Sequence, residues 1–77
     1  MRLKEAIKAM EERVPVVHKF GRDVTEYKHI KSIMIKMECG EMKAVAELQD
    51  KKRENATFTG YLDRIYEKGE KDVTAGN

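Results

Sequence analysis

The stretch MIKMECGEM, residues 34–42, gathers the only cysteine of the chain, Cys39, with Met34, Met37 and Met42. Thiolate and thioether are soft donors suited to Cu(I). Met37 and Cys39 lie two apart on one strand face, and Met42 comes within reach if the chain turns back at Cys39-Gly40. Packing accounts for the same residues more simply. Met37 and Met42 keep the phase of Ile33, Ile35, Ala44 and Ala46, which makes them the end of a core stripe, and methionine fills irregular gaps well. No metal is assigned here. Use of Cys39 as a nucleophile needs a general base, and neither histidine lies near it in sequence. An exposed thiol that oxidises slowly is the simpler reading.

His18 and His29 are the two imidazoles, eleven residues apart, and without a clear carboxylate partner they define no metal site. His29 sits in EYKHIK, where Tyr27, Lys28, His29 and Lys31 offer an aromatic face and several donors to a phosphate or a nucleotide. Arg22 and Tyr61 complete a candidate set for a small anionic ligand. The competing reading is a solvated strand edge with a core tyrosine. Lys51, Lys52 and Arg53 form a second positive loop. A barrel face bearing these cations with Lys19, Arg22, Lys28, Lys31 and Lys36, and with Tyr61 or Tyr66, could take single-stranded nucleic acid by phosphate contacts and stacking. Interleaved acids and an aromatic total of five weaken that reading.

Several chemistries are absent from the sequence. It holds no glycine-rich phosphate loop, paired carboxylate site, HExxH or GxSxG pattern. The chain therefore reads as non-enzymatic, with no cofactor expected.

The elements that would position these groups follow from periodicity. Leu3, Ile7, Met10 and Val14 recur at helical steps, with Ala6 beside them, and predict an amphipathic helix over residues 1–14 that ends before Pro15. Val14, Val16, His18 and Phe20 then alternate as a short strand, closed by turn residues in GRD. TEYKHIKSIMIKME is a long extended stretch whose phase changes: Ile33, Ile35 and Met37 share the phase of Tyr27, and Ile30 falls on the other. A bulge near residues 28–32 reconciles them. Met42, Ala44, Ala46 and Leu48 mark the inner face of the next strand.

These two strands specify a register. With Cys39-Gly40 as the turn, Met37 faces Met42, Ile35 faces Ala44 and Ile33 faces Ala46. The same register sets Lys36 against Lys43 and Glu38 against Glu41, which predicts fraying at the tip. DKKREN is a polar loop, ATFT a brief strand, and GYLDRIYEKG either a short helix or, preferably, one 3₁₀ turn and a final strand.

Composition sets outer bounds. The 77 residues hold 40% hydrophobic and 39% charged side chains, with a net charge of +2. One domain of this size buries only roughly 60% of the surface its unfolded chain exposes, so a partner or self-association would help it. A single cysteine fits a reducing cytoplasm. The small net charge argues against duplex DNA as the main partner, and no apolar run is long enough to cross a membrane.

The fold class expected is α+β, mainly β: a helix at 1–14, a small four- to five-stranded antiparallel open barrel at 15–68, and a fraying tail at 69–77. EAIK before VPVV, then EYKHIKSIMIK, a hairpin, AVAELQDK and YLDRIYE resemble short open reading frames of phages and integrative elements of Gram-positive anaerobes. That resemblance implies a Src-homology-3-like barrel and a mobile-element origin. Mobile elements often carry compact proteins that block host defence, so the role this resemblance implies is a binding module that inhibits or sequesters a host defence protein or a small charged ligand. A nucleic-acid-binding accessory protein is the alternative, and a homo-oligomer is compatible with either.

Overall fold

The computed structural model describes residues 1–68, so the tail expected at 69–77 lies outside the described residues. One helix, α1 (Leu3–Glu12), precedes six strands: β1 (Val16–Phe20), β2 (Asp23–Tyr27), β3 (His29–Glu38), β4 (Glu41–Gln49), β5 (Thr57–Tyr61) and β6 (Ile65–Glu67). A 3₁₀ turn, Leu62–Arg64, joins the last two. The strands form two antiparallel three-stranded sheets, ordered β2-β1-β6 and β3-β4-β5. The protein is thus mainly β with one N-terminal helix.

Helix α1 begins with the Arg2 amide donating to Glu5 Oε1 at 2.9 Å, which satisfies one of the amides a helix start leaves unpaired. It ends where Arg13 takes a left-handed conformation, φ 54°, just ahead of Pro15. The face it buries differs from the expected stripe. Ala6 and Ala9 are buried, whereas Leu3 and Ile7 remain 44% and 42% exposed. The helix lies close against the core, where only small side chains fit, and the larger residues are turned to its flank. Met10 and Val14 pack partly against the same core.

That core is made of Ala6, Ala9, Val16, Ile30, Ala46, Leu48, Leu62 and Ile65. Its fully buried members include no aromatic ring, and Tyr27 packs against it from the side. The Met1 nitrogen donates to the carbonyls of Leu62 at 2.8 Å and Ile65 at 3.0 Å, which ties the start of α1 to the 3₁₀ turn.

The central hairpin adopts the register read from the sequence: Ile33 opposite Ala46, Ile35 opposite Ala44, Met37 opposite Met42. Both turn residues have positive φ, Cys39 at 49° and Gly40 at 80°, the geometry of tight hairpins whose twist matches their strands. The expected bulge falls between Ile30 and Ser32. One extra residue there moves Ile30 and Ile33 to the same side. Like charges do meet at Lys36/Lys43 and Glu38/Glu41. Each lysine instead pairs along its own strand, Lys36 with Glu38 at 3.7 Å and Lys43 with Glu41 at 3.2 Å, and the ladder runs to the tip.

Burial corrects one expectation. Met37 and Met42 face each other, yet they are 67% and 72% exposed, and Ile35 is 50% exposed. Both methionine side chains are left largely in solvent, and Met42 borders a shallow depression that Met1, Leu3 and Leu62 also line. Only Lys28 separates β2 from β3, and its amide donates to the Gln49 carbonyl at 2.8 Å. Residues 23–38 therefore behave as one bent strand that serves both sheets.

Candidate functional site

Alternation along β1 and β5 sets up a cleft between the two sheets. In β1, His18 and Phe20 share one face, while Lys19 on the other carries its ammonium over the Tyr66 ring at 4.7 Å. In β5, Phe58 and Gly60 share the face that meets His18. A Cβ on Gly60 would stand 2.8 Å from His18 Cδ2 and 2.9 Å from Nε2, so the imidazole lies directly over this backbone. Glycine is what allows the approach. His18 meets Phe58 edge to face, 4.8 Å between centroids at 72°, and Phe58 stacks on Tyr27 at 5.6 Å and 11°. Both geometries suit aromatic quadrupoles.

The 3₁₀ turn completes one wall by placing the Arg64 guanidinium 4.6 Å from the Phe20 ring centroid. Lys36 and Val45 from the central hairpin, with Thr59 and Tyr61, complete the lining of a volume of about 520 Å³. Phe20 is 60% exposed although it is aromatic, and with the Arg64 guanidinium over its ring it lines the cleft. Arg64 is half-buried and joins no ion pair among the described residues.

Burial, and then the nearby Arg64 charge, lower the pKa of His18 below its ordinary value. At neutral pH it is an uncharged imidazole with one donor and one acceptor nitrogen. The positive charge of the cleft therefore comes from Arg64 and Lys36. At its far side the Tyr61 hydroxyl donates to Glu38 Oε1 at 2.7 Å, and this bond to a carboxylate raises the phenol's pKa. Flat rings, an unpaired guanidinium and a neutral imidazole suit a ligand that joins a planar group to an anion.

The residues singled out from sequence are divided over the surface. Tyr61 lines the cleft, and Tyr27 supports it from behind through Phe58. Lys28 and His29 sit instead at the β2–β3 junction, where they border a depression of about 180 Å³ with Gln49, Asp50, Lys51 and Glu54. Desolvation lowers the pKa of His29, aided by Arg13, Lys28 and Lys31. Lys31 is exposed at the bulge and Arg22 at the β1–β2 turn, both away from the cleft lining.

The 51–53 loop is more ordered than its composition suggests. Buried Gln49 directs its Nε2 at the carbonyls of Asp50, Arg53, Glu54 and Ala56, at 2.9–3.3 Å. The Asp50 carboxylate accepts the amides of Lys52 and Arg53 at 2.9 and 2.8 Å, and those bonds lower its pKa. Lys51 is engaged with Glu26 at 2.8 Å, and Lys68 joins the same carboxylate at 3.1 Å. Lys52 and Arg53 stay exposed.

His18, Phe20, Phe58, Gly60 and Arg64 were not picked out as a site from sequence. The available signal was alternation, which already put His18 and Phe20 on one strand face; what it lacked was the pairing of β1 and β6 that brings Arg64 alongside. Cys39 is exposed at the hairpin tip. Among the described residues no three His, Cys, Asp or Glu side chains gather as metal ligands, and no helix is long and apolar enough to cross a membrane. Comparison with known protein families, curated protein sequences and solved structures finds no match to this chain.

Proposed function

We propose that the chain is a non-enzymatic binding module whose β1–β5 cleft holds a small anionic ligand bearing a flat ring, a mononucleotide being the simplest example. The observation that carries this reading is the pairing of Phe20 with Arg64 at the cleft wall, 4.6 Å apart and open to solvent. A ring stacked on Phe20 would bring its attached phosphate to the guanidinium, which binds phosphate through a planar fork of donors. In the context of the mobile-element resemblance, the module acts in the host cytoplasm by sequestering such a ligand from a host protein that depends on it.

We also read the two sheets as halves of an open, Src-homology-3-like barrel. The bent strand 23–38 common to both sheets and the 3₁₀ turn before the last strand support it.

Titration calorimetry with AMP and ATP at low salt tests the ligand. Binding should occur, and Arg64→Ala and Phe20→Ala should each weaken it about tenfold or more. Absence of binding, or unchanged affinity in both variants, overturns the proposal. The nucleic-acid alternative rests on the basic groups of residues 19–36, Lys28 and Lys31 among them, and on Lys51, Lys52 and Arg53. It is disfavoured by Glu26, Asp50 and Glu54, which share that surface.

A further inference from the structure

Among the described residues strand β3 ends its sheet, so one rim of its backbone has no neighbouring strand in the order β3-β4-β5, and α1 also packs against it. Exposed edges of this kind template the addition of another strand, and proteins normally blunt them. Here the blunting is uneven. The bulge between Ile30 and Ser32 and the exposed Lys31 interrupt the first half, where Ile30 is buried and Ile33 half-buried. From Met34 to Met37 the strand is exposed on both faces, with Met34 at 45%, Ile35 at 50% and Met37 at 67%. Lys36 is the one charge in that segment.

We propose that this edge pairs antiparallel with β3 of a second copy of the chain, about a two-fold axis at Ile35. The register follows from the side chains. Centring on Ile35 sets Ile33 opposite the second copy's Met37, Met34 opposite its Lys36, and Ile35 opposite itself. Apolar residues then meet on one face, Glu38 lies opposite Ser32, and no charge stands directly against its like. A parallel in-register pairing would oppose Lys36 to Lys36 and Glu38 to Glu38, which is unfavourable. Two copies related by a two-fold axis make a closed assembly, and the result is one six-stranded sheet.

The proposal has a geometric consequence for the cleft. A two-fold axis perpendicular to the sheet keeps Met34, Lys36 and Glu38 on the same face in both copies, because directly opposed residues point the same way. Lys36 lines the cleft. Both clefts therefore open toward the same face of the joined sheet, with their Lys36 walls adjacent. The pairing itself does not depend on what the cleft binds.

Sedimentation equilibrium of the ligand-free protein across micromolar concentrations tests it. The mass should approach twice the 8.9 kDa of one chain. Ile35→Lys, which sets like charges face to face at the axis, and Met34→Lys on the other face should each raise the dissociation constant more than about tenfold. Met42→Lys, one strand in from the edge on the same apolar face, should leave the dimer intact. Circular dichroism establishes that each variant is folded; if Ile35→Lys unfolds, Met34→Lys carries the test. A wild-type monomer, a dimer that survives both edge variants, or a dimer lost equally in Met42→Lys overturns the proposal.

Discussion

The β1–β5 cleft and the tip of the central hairpin both carry large apolar side chains in contact with solvent, and they do so in opposite ways. In the cleft each ring is held by another group: His18 against Phe58, Phe58 against Tyr27, Phe20 against Arg64. At the tip, Met37 and Met42 face each other across the ladder and stay largely in solvent, Met42 at the border of an open depression. Rigid rings fixed by neighbours make a surface of defined shape, whereas two flexible thioethers make an adaptable one. Exposure alone therefore does not mark a site; exposure of a side chain that is immobilised from behind does.

The sharpest way to break this contrast is Gly60→Ala. The added methyl group meets the His18 ring, so stability should fall by about 1–3 kcal/mol in denaturant unfolding, and the additional change His18→Ala should recover part of the loss. Met42→Thr at the tip should shift stability by no more than about 0.5 kcal/mol. Equal costs at the two sites would erase the distinction.

Gln49→Leu comes next. It strips one amide from the four carbonyls of the 50–56 segment, and a cost of about 1–3 kcal/mol is expected, with faster hydrogen exchange confined first to that segment. An unaltered exchange pattern would mean that Asp50 orders the loop by itself.

The cleft can also be separated from the tip by pH. The lowered pKa of His18 means that the folded state resists protonation, so the stability tied to it is complete above the ordinary value of 6.5 and declines as pH falls below that value. His29 acts in the same direction. The lowered carboxyls of Glu26, Glu47 and Asp50 extend the decline at more acidic pH, as they protonate. Thermal melts of His18→Phe should show a flatter profile just below pH 6.5 than the wild type; an identical slope would assign the effect elsewhere.

The smallest expected change is a gain. Cys39 occupies a left-handed position that asparagine tolerates better, so Cys39→Asn should stabilise the hairpin by about 0.5 kcal/mol without altering the cleft. A loss of stability would show that the thiol makes a contact the turn geometry does not reveal.

What could be read from sequence divides along the same line. The register of β3 with β4, the bulge, and the 3₁₀ turn before a last strand are local matters of alternation and turn chemistry, and these agree with the structure. Burial at the tip is not local. The phase of Met37 and Met42 says which face they occupy but not whether anything covers that face. The buried face of the helix is not local either: Met10 and Val14 of its apolar stripe reach the core, but the close approach of α1 buries Ala6 and Ala9 in place of Leu3 and Ile7. The cleft draws on β1, β3, β4, β5 and the 3₁₀ turn, so its members are scattered through the sequence and carry no common spacing.

The bent strand from Asp23 to Glu38 has a consequence for how the molecule comes apart. Because the same segment supplies β2 to one sheet and β3 to the other, loss of either sheet frees the bend that anchors an edge strand of the other. The two sheets should therefore unfold in one cooperative transition, and their slowest-exchanging amides should share a single opening free energy. Lys28, the residue at the bend, is where the two halves of the protein are bound into one folding unit.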